Sequence, residues 1–268
     1  MKRICNYLQF KIATTKLFVF SAILVIYQFS LLLNLISSSH EYNIYDFIIN
    51  NFSYLSLFYS INLFFLLMIY NIFDKRNFYN YLNTRFSSKQ EVYRANVLST
   101  FVFSIGIVVF INIICIIMGS FISFDNSWSP YYFYTMTGKV NLSYDNEVVK
   151  LITQKITPIL LVLITSLLTI LYLFFISMFF IVCNIIFKKR AVSFILVIIL
   201  NTLSMAFDAG NLSRFSFTNN IYIMNSRVNE VTNGTYIISK LAYWFILIIL
   251  IYIIGNILTN KKDCSYGE

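Results

Sequence analysis

The chain has 268 residues, of which 59% are hydrophobic and only 12% charged, and its formal charge is +9. Soluble domains run nearer half apolar and a quarter charged, so this composition excludes a polar skin around a water-excluded core and marks a membrane protein. Its Lys and Arg residues flank apolar runs instead of gathering on one surface, which makes the charge a topology signal and excludes nucleic acid as a partner.

A spanning helix needs about 20 mostly apolar residues. Ahead of any such run, residues 1–16 (MKRICNYLQFKIATTK) place Ile4, Leu8 and Ile12 at a spacing of four beside Lys2, Arg3 and Lys11. That pattern predicts an amphipathic helix lying on the membrane surface. The first span is expected at 17–37. Its apolar run exceeds the roughly 7 to 15 residues of a signal-peptide core, so it is read as a retained helix. Residues 38–51 read as a short connection, 52–73 as the second span, 74–94 as a basic loop and 95–121 as the third span. The connection 122–155 contains SWSPYYFYT, whose Trp128, Tyr131, Tyr132 and Tyr134 suit an aromatic belt at the membrane interface or a substrate-facing surface. The fourth span, 156–187, would run about 48 Å as a helix, against about 30 Å of hydrocarbon, so it must tilt or protrude. Pro158 marks its first turn. After KKR at 188–190 comes the shortest span, 191–207. Residues 208–240 mix Phe215, Phe217, Ile221, Ile223 and Met224 with polar residues, which predicts short helices dipping back into the outer leaflet. The last span is 241–259, and none of the six windows contains a charged residue.

Orientation follows from the alternate connections. The amino terminus, 74–94, 188–190 and the carboxyl tail together hold 14 Lys and Arg, against six in 38–51, 122–155 and 208–240. Both termini are therefore expected in the cytosol. The chain reads as an all-α integral membrane protein, with the interfacial helix over 1–16 followed by a single six-helix domain over 17–268.

Chemistry is sparse. Cys115 and Cys183 lie in apolar runs and Cys5 and Cys264 in basic flanks, without paired spacing and with His40 as the single histidine. They provide neither a disulfide framework nor a metal site. The segment GNILTNKK at 255–262 lacks the second glycine and the hydroxyl of a phosphate-binding loop, so no ATP site is expected in this chain. The polar residues inside the spans are Gln, Asn, Ser and Thr, which leaves a gradient-driven transporter without its ion-relaying side chain. Asp145 and Glu147 are neighbours in a loop, so acid–base catalysis within the membrane has no candidate pair. Energy for transport would come from another chain, and this one is expected to be non-catalytic.

The exception is RFSSKQEVYR at 85–94. Ser88 followed three residues later by Glu91 fits a capping box, with Ser88 bonding the third helical amide and Glu91 reaching back. A helix starting there runs straight into the third span. One reading is a topology anchor against anionic lipid. The other is a coupling element seated in a soluble ATPase.

The amphipathic start, six spans, the loop NTRFSSKQEVYR leading into VYRANVLS, the short fifth span and the outer-leaflet stretch before the sixth together resemble the permease subunits of ATP-binding-cassette (ABC) type-2 exporters. The likeness is to the compact ones paired with separate ATPases in peptide export and bacteriocin self-immunity. It implies a permease dimer, of two copies or with a related chain, above two soluble ABC ATPase subunits that would hold ATP and Mg. Coupling would fall on Arg85, Phe86, Ser88, Glu91, Tyr93 and Arg94. The first and fifth spans would meet in the dimer with substrate between them, which makes Tyr27, Phe29, Asn201 and Met205 candidates for the path. The expected function is export of an amphipathic or hydrophobic substrate, a peptide such as a toxin or bacteriocin, across the plasma membrane. The rival is an ATPase-independent immunity or scaffold protein that binds a toxin or partner through its aromatic outer loops.

Overall fold

The computed structural model describes residues 15–72, 86, 88–137, 146–209 and 212–261. The amphipathic helix expected over 1–16 falls almost wholly outside these residues, as do Arg85 and most of the 74–94 loop. A backbone that must satisfy its own polar groups in hydrocarbon has helix as its open-chain solution. Every regular element among the described residues is helical.

Helix α1 (Thr15–Ile36) is followed by α2 (Ile44–Asn51). Asn43 caps α2 with a full capping box: its side chain accepts from the Asp46 amide at 3.1 Å and the Asp46 carboxylate accepts from the Asn43 amide at 2.8 Å. Residues 38–51 were expected as a connection, but Ile44, Phe47 and Ile48 of α2 are buried in the core. The chain then turns at Phe52 and Ser53, and a π-helical turn over Ser56–Ile61 leads into α3 (Asn62–Ile72). The two halves meet at 52°, so the second expected span is a bent pair that begins eight residues earlier than 52. The break frees the Phe52 carbonyl, which accepts from the Tyr222 hydroxyl at 2.9 Å.

Helix α4 (Lys89–Met118) ends at Gly119, where a Cβ would lie 2.2 Å from Ile44 Cδ1. A larger residue there would have to push the tip of the Ile44 side chain aside. Two short helices follow, α5 (Pro130–Thr137) and α6 (Asn146–Lys155), and then α7 (Pro158–Phe187) starts with proline in its first turn as the sequence indicates. Lys188, in the left-handed conformation with φ 55°, makes a tight reversal into α8 (Arg190–Ala206). Short turns and helices follow, including α9 (Phe217–Ile221) and α10 (Val228–Thr232), before α11 (Tyr236–Lys261).

Among the described residues four helices, α1, α4, α7 and α11, are long and apolar enough to cross a membrane, five if the bent pair counts as one. Helix α8 has 17 residues, about 26 Å, and is shorter than that standard. In its most apolar stretch α7 is 67% buried, against 22%, 33% and 17% for α1, α4 and α11. It is therefore the axis around which the others pack, and they turn apolar faces such as Phe18, Ile26, Ile113, Ile238 and Ile246 outward. On a soluble protein so much exposed apolar surface would drive association; in a bilayer it meets lipid.

Two charged side chains are buried among the described residues, both just outside the charge-free windows of the sequence. Asp46 sits in α2, and Lys240 is in the first turns of α11 and only 4% exposed. Both have partners: Asp46 bonds Asn43 and the Ser129 side chain, and the Lys240 ammonium donates to the Asn219 carbonyl.

Candidate functional site

The start of α4 (Lys89, Arg94), joined to the end of α11 (Lys261) by the Gln90–Asn260 bond, and the turn from α7 into α8 (Lys188, Arg190), with Arg190 over Tyr70 of α3, are called here the basic end. At this end Ser88 caps α4, its hydroxyl accepting from the Glu91 amide at 3.2 Å. The Ser88 half of the expected box thus forms. Replacing Ser88 by alanine is expected to cost about 1 kcal/mol, read as a lower thermal unfolding midpoint, whereas Ser88→Asp should hold it.

The helix start is tied down. The Gln90 amide donates to Asn260 Oδ1 at 2.8 Å, joining the first turn of α4 to the last turn of α11. One turn further in, the Tyr93 hydroxyl donates to the Tyr252 carbonyl at 3.3 Å and its ring lies over Gly255, where a Cβ would sit 2.1 Å from the hydroxyl oxygen. Of the expected coupling residues, Ser88, Glu91 and Arg94 are exposed and Phe86 is half-buried. Tyr93 is fully buried, so it can pass a displacement to α11 but cannot touch a partner chain. Arg85 lies outside the described residues.

Arg94 has a different setting from its neighbours. With Val97, Leu98 and Phe101 it forms one stripe of α4, and together with Phe174 of α7 and Tyr252 of α11 these residues line an open groove of about 430 Å³.

The expected path residues are not gathered. The Tyr27 hydroxyl pairs with Ser56 Oγ at 2.8 Å in the π-helical turn, while Phe29 is 50% exposed on the outer face of α1. Asn201 is buried and accepts from the Tyr172 hydroxyl at 2.8 Å, so it locks α8 to α7. Met205 is half-buried near the end of α8. What the structure does place on one side is α3, with α1 and α8 packed on either flank. The Tyr70 ring of α3 meets Phe194 at 6.1 Å and carries the Arg190 guanidinium at 5.3 Å.

The opposite end is closed by residues 212–232, which form short turns and helices packed against the bundle. Phe217, Ile221, Ile223 and Met224 are buried, while Phe215 is exposed. Phe217 enters an aromatic cluster with Tyr172, Phe175 and Trp244. Five-residue α9 leaves its last carbonyls without helical partners, and α11 supplies them: Lys240 donates to Asn219 and the Trp244 indole to Asn220 at 2.9 Å. Lys155 likewise caps α10, donating to the Val231 carbonyl at 2.6 Å. These capping residues had no sequence signal beyond a Lys and a Trp near a span end.

The stretch SWSPYYFYT is divided by the fold. The Trp128 indole donates to the Thr153 and Ile156 carbonyls at 2.9 and 3.2 Å, and Tyr132 is buried. Burial and the neighbouring Asp46 carboxylate push the Tyr131 phenol up. Phe133 and Tyr134 remain exposed, the latter against His40 with ring centroids 4.3 Å apart. Among the described residues no three His, Cys, Asp or Glu side chains gather as a metal site.

The fold and these contacts define a helical bundle built around one central helix, braced at its basic end and closed by a short-helix cap at the other. The chain is 27% identical to Uncharacterized protein BH0177 of Halalkalibacterium halodurans over 250 residues, covering 90% of this chain and 86% of that one. No family model matches the chain. No solved structure matches it either.

Proposed function

We propose that the chain is the membrane subunit of an ATP-driven exporter of the ABC type-2 kind, which moves an amphipathic or hydrophobic substrate, a peptide by preference, out of the cell. The observation that carries this reading is the braced start of α4. An exposed, capped helix end at the basic end is fixed to α11 by Gln90 and Tyr93, so a push on it moves two long helices together. An anchor for topology needs charge but not such a brace. The excess of Lys and Arg at this end supports its placement in the cytosol, with the plasma membrane as location and both termini inside. ATP and Mg would be held by two soluble ATPase subunits. A second copy or a related chain would cover α1 and α8 beside α3, where Phe29, Ile195 and Leu203 are exposed.

The test is purification of the tagged chain from its native membranes in mild detergent. A soluble partner bearing a phosphate-binding loop should co-purify in stoichiometric amount, and Arg85→Ala with Glu91→Ala should release it. An eluate without any ATPase sinks this reading.

A second reading, an immunity or scaffold protein working without an ATPase, is favoured by one observation, the exposed Phe133 and Tyr134 of α5. Its proper test is Phe133→Ala with Tyr134→Ala. Trp128 and Tyr132 are structural, and changing them would mislead. Loss of toxin protection in the double variant with partner ATPase absent supports the second reading; unchanged protection eliminates it.

A further inference from the structure

We propose that the groove headed by Arg94 seats one anionic phospholipid from the leaflet that meets the basic end. The proposal rests on the reading that the bundle spans a membrane, and it is independent of any ATPase.

Arg94, Val97, Leu98 and Phe101 follow one another at helical spacing and cover about 10 Å of the α4 axis. The groove therefore runs along the helix, as an acyl chain runs in the leaflet, with its cation at the membrane surface. Its far end is closed by Phe101 and Phe174, whose rings meet edge to face at 5.0 Å. The remaining walls, Val97, Leu98 and Tyr252, are apolar along their length. The groove, about 430 Å³, is open along one side, as a chain entering from the leaflet requires.

Charge points to the same occupant. Among the described residues Arg94 has neither a hydrogen-bond nor an ion-pair partner, although Glu91 lies one turn before it on α4. Arg94 is exposed at the head of the groove, where an anion can reach it, and phosphate accepts its fork of N–H donors in two parallel bonds. Lys89 and Lys261, brought to the same end by the Gln90–Asn260 bond, add to the positive field. Basic recesses between membrane helices on the cytosolic side are where anionic headgroups dock. Free phosphate matches only the Arg94 end and leaves the apolar walls bare. A lipid matches both.

The test uses the full chain in mild detergent, stripped of lipid and titrated with phosphatidylglycerol, with phosphatidylcholine of the same chains, and with inorganic phosphate. Native mass spectrometry counts bound lipid. The parent should bind phosphatidylglycerol about tenfold more tightly than phosphatidylcholine, the worth of one charge-assisted contact. Arg94→Gln, at an exposed position, should erase that preference, and Leu98→Trp, which fills the groove, should weaken both lipids. Equal binding of the two lipids by the parent overturns the proposal, as does a preference that survives Arg94→Gln. Displacement of phosphatidylglycerol by inorganic phosphate at equal concentration also overturns it, since the site would then recognise the anion alone. If Leu98→Trp does not fold, Arg94→Gln still decides. Lipid binding without a co-purifying ATPase leaves this inference standing and removes the transport reading; the reverse pattern does the opposite.

Discussion

Gly255→Val is expected to stop the chain accumulating as a folded, monodisperse protein in mild detergent. At this position α11 meets α4 with no side chain between them. An added Cβ would fall 2.1 Å from the Tyr93 hydroxyl oxygen, 2.6 Å from Cζ and 2.9 Å from Cε2. The ring cannot swing away, since Tyr93 is fully buried and its hydroxyl is tied to the Tyr252 carbonyl. Within a bilayer, helices gain little from excluding water and associate through close packing, for which a small residue at the contact is decisive. Even Gly255→Ala should cost about 1 to 3 kcal/mol through overpacking, and valine more. Gly106 is the internal control. It lies in α4 itself, a Cβ there meets nothing within 4 Å, and Gly106→Ala should be neutral or stabilising by about 0.5 to 1 kcal/mol. Thermal unfolding monitored by size exclusion separates the two, and equal midpoints for the two alanine variants would falsify the brace. Tyr93→Ala should partly restore Gly255→Val, because the pair shares one space and its effects do not add. The same contact matters for coupling. A brace loosened by Gly255→Ala should leave partner ATPase activity intact while transport falls.

Much of this architecture was legible in the sequence, and the parts that were not have identifiable causes. The start of α7 was fixed by Pro158, and that of α4 by Ser88, since both are local signals within one turn. The cap over 212–232 was legible because Phe217, Ile221, Ile223 and Met224 are too apolar for an exposed loop. Helix α2 was not. A window of about 20 residues averages Asp46, Asn50 and Asn51 into a polar connection, although Asn43 and Asp46 form a box and Ile44, Phe47, Ile48 and Asn51 make a helical stripe. The site was less legible than the fold, because its contacts are long-range. Tyr93 and Gly255 are 162 positions apart, and nothing in either neighbourhood names the other. Asn201 was expected to line a path as a polar residue in an apolar run, yet a buried amide takes whatever partner the fold offers, and here that is Tyr172. Helix α7 is apolar all round, as a lipid-facing span also is, so its sequence shows neither that it is central nor which neighbour covers which face.

Trp244→Ala is expected to release the cap at the end opposite the brace. Trp244 is fully buried, with ring centroids 5.7, 5.9, 5.5 and 5.1 Å from Tyr172, Phe175, Phe217 and Tyr243. Three separate elements, α7, α9 and α11, therefore meet on one side chain. Its indole also supplies a donor to the Asn220 carbonyl, which has no other partner to turn to once α9 ends. Truncation removes the packing of a large aromatic side chain, worth about 3 to 5 kcal/mol, and leaves that carbonyl unpaired. Trp244→Phe keeps most of the packing but also leaves the carbonyl unpaired, and should lose about 1 to 3 kcal/mol. The local contacts of the segment, such as Asn220 to Arg214 and Asn219 to Ser213, remain, so the cap should open as a unit while the helices beneath hold. Ile221, fully buried in the parent, reports this directly. With Cys5 and Cys264 changed to serine, and Cys115 and Cys183 buried, a cysteine at Ile221 is the one thiol that opening exposes. Maleimide labelling there should be slow in the parent, slightly faster in Trp244→Phe and fast in Trp244→Ala. Labelling that stays slow in Trp244→Ala means the latch lies in Lys240 and Tyr243, which hold the same segment through Asn219 and Phe215. Fast labelling joined to complete loss of the bundle means the cluster is the core itself and not a gate upon it.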